Sequence, residues 1–152
     1  MDKVKFNLVF NSVNTNSYTG ELYNPTFFTS FNTLIPQEKY NQYYKVSFRL
    51  KTPADANILD QDSHRIEMLL NARIYNQQNN ANDYTLGMLS KKLEDYTNNL
   101  LSFDTTPYDN PPIIIQSLDR IDRITFRIIS ETTQTLHTDM PDYVLILHFK
   151  EI

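Results

Sequence analysis

An all-β fold, an antiparallel sandwich of two sheets, follows from three features of this sequence. Four separate segments alternate apolar and polar residues with a period of two, the pattern of strands with one buried face. The C-terminal third carries three β-rich runs, 111–116, 122–129 and 141–150, each bounded by turn residues. Turn chemistry comes mainly from 16 asparagines with aspartates and prolines, because the chain has only two glycines, Gly20 and Gly87. Asparagine tolerates positive φ better than other non-glycine residues. About eight strands of this length in one domain suit a jelly roll. Neither tryptophan nor cysteine is present to mark an immunoglobulin-like topology.

The elements follow in order. A first strand places Val4, Phe6, Leu8 and Phe10 on one face and Lys3, Lys5 and Asn7 on the other. Residues 26–34, rich in Phe and Thr, read as a second strand. Val46, Phe48 and Leu50 alternate with Lys45, Ser47, Arg49 and Lys51, a strand with one wet face. Ile66, Met68, Leu70, Ala72 and Ile74 alternate with Glu67, Asn71 and Arg73. Shorter strands are expected over 84–90 and 99–103. Between those two the period is ambiguous: Leu86, Leu89, Leu93, Tyr96 and Leu100 also fit a helical stripe. Strand, short loop or helical turn, and strand again is the favoured reading there, with a helix over 86–101 as competitor. Residues 112–116 are apolar almost throughout and read as a fully buried strand. Ile124, Phe126 and Ile128 alternate with Arg123, Thr125 and Arg127. The last strand, 143–150, is apolar on both faces until His148, so it should be central or covered by a neighbouring subunit. The predicted core is Val4, Phe6, Leu8, Val46, Phe48, Leu50, Ile66, Met68, Leu70, Ile124, Phe126 and Ile128. The polar tract 76–82 reads as an exposed loop.

Composition bounds the function. A chain of 152 residues can bury ~70% of the surface it exposes when unfolded, so one domain over 1–152 needs no staples. With no cysteine there are no disulfides or thiolate metal sites, as in a reducing compartment. The first residues lack the pattern of a secretory signal. No apolar run approaches the ~20 residues of a membrane-spanning helix. The single N-x-S/T match, Asn24-Pro25-Thr26, is blocked by its proline. Net charge is -4 with both signs scattered along the sequence, which gives no footprint for nucleic acid and no expectation of a specific nucleic-acid partner.

Candidate chemistry is sparse. His64, His137 and His148 are too widely spaced to read as a zinc site, although a sandwich would allow His137 and His148 to approach. Asp60, Asp62 and His64 place alternating donors in a loop, but the glycine and glutamate of a calcium loop are missing. Asp139 and Asp142 flank Met140-Pro141 and fit turn chemistry before the last strand. No pair of carboxylates stands out for glycoside hydrolysis. The aromatic residues are the stronger signal. Tyr23, Phe27, Phe28 and Phe31 crowd one region, and Tyr40, Tyr43 and Tyr44 the next. The phenylalanines fit a core, and the tyrosines an interface, where an apolar ring with a polar tip is favoured.

The order of the C-terminal elements carries a resemblance. Tyr84-Thr85-Leu86-Gly87-Met88-Leu89 is followed by Phe103-Asp104-Thr105-Thr106 and then by Asn110-Pro111-Pro112-Ile113-Ile114-Ile115. The arginine-rich strand 123–128 comes next, and 141–149 closes the chain. This succession resembles single jelly-roll minor capsid proteins of large eukaryotic double-stranded DNA viruses and their virophage and transposon-like relatives. It covers roughly the last 70 residues, and the N-terminal half matches only in being β-rich. The resemblance implies a structural virion protein, a minor capsid or vertex component, with major and minor capsid proteins as partners and no catalytic residues.

The expectation is therefore a non-enzymatic, cofactor-free subunit found in the virion and, during assembly, in the host cytoplasm. It should form a homo-oligomer, a trimer or pentamer, with Tyr43, Tyr44, Tyr108 and His148 as candidate interface residues. A carbohydrate- or receptor-binding sandwich is the alternative, and a small hydrolase on the same scaffold a third reading.

Overall fold

A computed structural model of the chain describes residues 2–53, 64–72, 81–89, 96–97, 100–104, 112–138 and 140–152. Two antiparallel sheets face each other. The first contains β1 (Lys5–Asn11), β11 (Val144–Glu151), β4 (Tyr43–Pro53), β8 (Leu100–Asp104) and β7 (Tyr96–Thr97) in that spatial order, with β9 (Ile113–Gln116) also paired to β4. The second runs β2 (Tyr18–Glu21), β3 (Asn24–Phe28), β10 (Ile121–Ser130), β5 (His64–Ala72) and β6 (Ala81–Leu89).

The pairing is nested. The first strand pairs with the last, β1 with β11. Moving inward, β3 pairs with β10, β4 with β8 and β9, and β5 with β6. This long antiparallel hairpin is folded over on itself, and the pairs β11–β4 and β10–β5 join its layers into two sheets. That is a jelly roll.

Eleven strands occur among the described residues, against about eight expected from the sequence. The partner of β4 is split: β8 pairs along Arg49–Pro53 and β9 along Tyr43–Val46, running in one direction. Counted as one, they leave eight jelly-roll strands, with the short β2 and β7 as additions. Gly20, at φ 91°, enters the tight β2–β3 turn, where a Cβ would stand 2.7 Å from the Asn24 carbonyl oxygen.

The core lies between the sheets. Val46, Phe48, Leu50, Ile66, Met68, Leu70, Ile124, Phe126 and Ile128 are all buried, as the alternation predicts. Val4, Phe6 and Leu8 are half-buried and pack against the same cluster, at the edge of the first sheet. From the last strand Leu145, Leu147 and Phe149 enter the core. That strand is central, paired with β1 and β4, which satisfies the expectation drawn from its two apolar faces. Two ring clusters anchor opposite parts of the sandwich. Phe126 meets Phe10 at 5.1 Å and Phe27 at 6.0 Å, while Phe149 meets Phe6 at 4.9 Å and Phe31 at 5.3 Å.

Two expectations are corrected. The strand expected over 26–34 ends at Phe28, and Phe31–Leu34 form a single α-helical turn (α1) ahead of Pro36. This turn drives Phe31 into the core, whereas continued extension would carry the segment past the end of β10, whose Arg123 pairs Phe28. The run 112–116 is not buried throughout: Ile115 points inward, and Ile114 is exposed on the outer face. Strand alternation overrides uniform apolarity there. Residues 81–89, 96–97 and 100–104 are strands on both sides of the ambiguous segment, while 90–95 lie outside the described residues. Ile74, Asp60, Asp62, Asp139 and most of the polar tract also lie outside them.

Candidate interface surface

The predicted interface residues divide cleanly. On β4, Tyr43 points outward and is 53% exposed, whereas Tyr44 points into the core and is 1% exposed. Tyr44 is therefore corrected to a core residue. Consecutive strand residues take opposite faces, so the two neighbours cannot share one surface. The Tyr44 hydroxyl donates to the Lys39 carbonyl at 3.4 Å, and burial first, then Glu151 and Asp119, raises its pKa. His148 is exposed at the middle of the first sheet, between Asn7 of β1 and Ser47 of β4. Its Nδ1 is hydrogen-bonded to Asn7 Oδ1. Tyr108 lies outside the described residues.

The outer face of the first sheet is thus built from alternate residues of β1, β11, β4 and β9. Val9, Tyr43 and Ile114 give it exposed apolar area. Lys5, Asn7, Lys45, Arg49, His148 and Lys150 give it polar and cationic groups. Lys5 and Lys45 were visible in the sequence as outward positions of separate strands. Their alignment was not, since nothing local fixes which strands pair or in what register.

The outer face of the second sheet is electrically balanced. Arg65 Nε meets Glu67 Oε2 at 2.9 Å, Arg65 Nη1 meets Glu131 Oε1 at 2.8 Å, and Arg127 Nη2 meets Glu67 Oε1 at 2.7 Å. The Arg65 hydrogen bond holds the Glu131 carboxyl below its ordinary range. His137 stacks at a tilt against His64, ring centroids 4.3 Å apart, on this sheet. His148 stands on the other, so the approach of His137 to His148 does not occur. Among the described residues no group of three His, Asp or Glu side chains converges as a metal site would need.

One open cleft of about 420 Å³ is lined by Ser12, Val13, Tyr18, Glu21, Leu22 and Asp142, among others. Several of the polar groups in and beside it are hydrogen-bonded to one another. Ser12 Oγ donates to Asp142 Oδ1 at 2.9 Å and accepts from the Tyr143 amide at 2.8 Å. The hydroxyl of Tyr18 donates to the Ser12 carbonyl, and that of Tyr143 to the Leu22 carbonyl, both at 2.7 Å. Burial raises the Tyr143 pKa well above that of a free tyrosine. The network ties the end of β1, the β2–β3 hairpin and the entry to β11 together. Asp142 thus acts through a long-range contact with Ser12 rather than through the local turn chemistry expected before the last strand.

No helix among the described residues is long and apolar enough to cross a membrane. No family model matches the chain, and no curated protein matches it either. Among solved structures it is similar to one titled for Desmodium yellow mottle tymovirus, at 11% identity and a TM-score of 0.27, covering 99% of this chain and 88% of that one. At that score the likeness carries no argument, and the jelly roll rests on the strand pairing alone.

Proposed function

We propose that this chain is a structural subunit of a virion shell, a minor capsid or vertex component that oligomerises and binds neighbouring capsid subunits. The observation that carries the reading is the nested jelly-roll pairing, to which the C-terminal segments that resemble minor capsid proteins contribute their described residues 84–89, 103–104, 113–115, 123–128 and 144–149 as strands. A rigid outer sheet face with exposed Val9, Tyr43 and Ile114 supplies the kind of mixed apolar and polar surface from which subunit contacts are made. The role is one of contact rather than catalysis, and no cofactor enters it.

Tyr43 is the anchor on this reading, since aromatic residues carry a disproportionate share of interface energy. Specific interfaces bury ~1,600 Å² in total, and a closed trimer or pentamer is the assembly this reading expects. The native mass of the purified protein by light scattering is the test. A closed oligomer that Tyr43→Ala dissociates, with an unchanged far-ultraviolet circular dichroism spectrum, supports the proposal. A monomer that never joins a larger particle ends it. The receptor- or carbohydrate-binding alternative requires tyrosines lining a groove. Of the tyrosines whose side chains are described, only Tyr43 is exposed, and it lies on the open sheet face; the cleft is lined by a single, half-buried tyrosine, Tyr18.

A further inference from the structure

Three lysines meet in one row on the outer face of the first sheet. Lys5 of β1 stands directly opposite Lys150 of β11, and Lys150 directly opposite Lys45 of β4. Adjacent strands lie ~4.8 Å apart, so three ammonium groups spring from about 10 Å of sheet. Arg49 and Lys51 extend the same face along β4. Among the described residues no ion pair engages Lys5, Lys45, Lys51 or Lys150, in contrast to the paired charges on the second sheet.

The row has a physical cost. Like charges directly opposite each other destabilise an antiparallel pair. Lysines often shield the open edge of a sheet, but Lys45 and Lys150 sit on strands paired on both sides. A protein of net charge -4 thus gathers positive charge on one face against its own stability.

We infer that this face binds the phosphate backbone of single-stranded nucleic acid, without reading its sequence. The lysine row, with Lys51 further along β4, matches a chain of phosphates, which repays the repulsion by releasing counterions. Tyr43 stands on the same face, at the start of β4, with its ring exposed for an unpaired base to stack on. His148, at the centre of the face, offers a second ring. A duplex, whose bases are already stacked, would leave both unused. The inference does not depend on the shell role proposed above, and it adds a partner that the charge balance of the sequence did not suggest.

Fluorescence anisotropy with a labelled oligothymidylate of about 20 nucleotides tests it, over about 50 to 200 mM NaCl. Binding should weaken with a log–log salt slope of about -2 to -3, as ~0.7 per phosphate contact gives for three or four cations. The double variant Lys45→Gln/Lys150→Gln should lose about tenfold in affinity and make the slope shallower by about 1.4. Tyr43→Ala should lose about fivefold or more and leave the slope unchanged. Arg120→Gln, an exposed cation elsewhere, should change neither. The double variant relieves repulsion and should melt no lower than the wild type. If it does melt lower, Lys5→Gln on the edge strand replaces it, with a slope change of about 0.7 as the reading. Absence of binding at low salt and micromolar protein overturns the inference, as does wild-type affinity in the lysine variants or tighter binding of a duplex. It is equally overturned if the lysine variants lose only self-association or only binding to anionic vesicles, which would assign the face to an acidic surface of a second copy or to lipid.

Discussion

Replacing Phe126 with alanine tests the sandwich at its centre. The side chain is fully buried, and its ring meets Phe10 from β1 and Phe27 from β3 edge-on, so it joins both sheets. Truncating a buried Phe costs about 3–5 kcal/mol through lost transfer energy and the cavity left behind. Each ring pair is worth ~0.5–1.5 kcal/mol beyond burial, which places this site at the upper end, about 4–5 kcal/mol. Domains have only ~5–15 kcal/mol in all, and 1 kcal/mol moves the midpoint by ~2–4 °C at this size. A fall of about 8–20 °C is therefore expected. Far-ultraviolet circular dichroism in urea and on heating is the assay, because the chain has no tryptophan for fluorescence. Phe28→Ala is the control: the next aromatic along β3 from Phe27, 67% exposed, should shift stability by less than ~0.5 kcal/mol. If Phe126→Ala costs under ~1.5 kcal/mol, or if the two variants lose equally, the facing of β3 and β10 is wrong.

Further outcomes follow from the polar contacts. Ser12→Ala removes a donor to Asp142 and an acceptor for the buried Tyr143 amide, so it should cost ~1–3 kcal/mol in urea melts. The Val4 amide and then Lys39 hold the Glu151 carboxyl below the ordinary range, so the unfolded chain binds its proton first. Stability from this group is present above the unfolded pKa of ~4.3 and is lost as pH falls through the lower folded value. Glu151→Gln should therefore flatten the acid limb of a melting-temperature profile, and an unchanged limb would discount the contact. Burial raises the pKa of Tyr143, so its contribution is complete below ~10 and declines as pH rises above it; Tyr143→Phe should soften that alkaline loss. Treatment with EDTA should leave the melting temperature unchanged, and a fall of several degrees would assign a metal to the Asp60–His64 loop or the Asp139/Asp142 pair.

What the sequence determined by itself is which side of each strand faces the core. The period of two at Val46–Leu50, Ile66–Leu70 and Ile124–Ile128 is local, and each of its alternate apolar residues is buried. The same rule separates Tyr43 from Tyr44, although aromatic clustering drew both toward one surface. Apolarity without alternation misled at Ile114, and β-rich composition misled at Phe31, where the space at the end of the core decided. Tertiary structure alone decided which strands are neighbours. The lysine row requires the registers β1–β11 and β11–β4, set between residues more than 90 positions apart in the chain. The facing of His64 with His137, and the Ser12–Asp142–Tyr143 clamp, depend on the same long-range pairing. Side-chain facing is a property of the backbone repeat, whereas register is fixed only when the hairpin folds over and two sheets bury their apolar faces together.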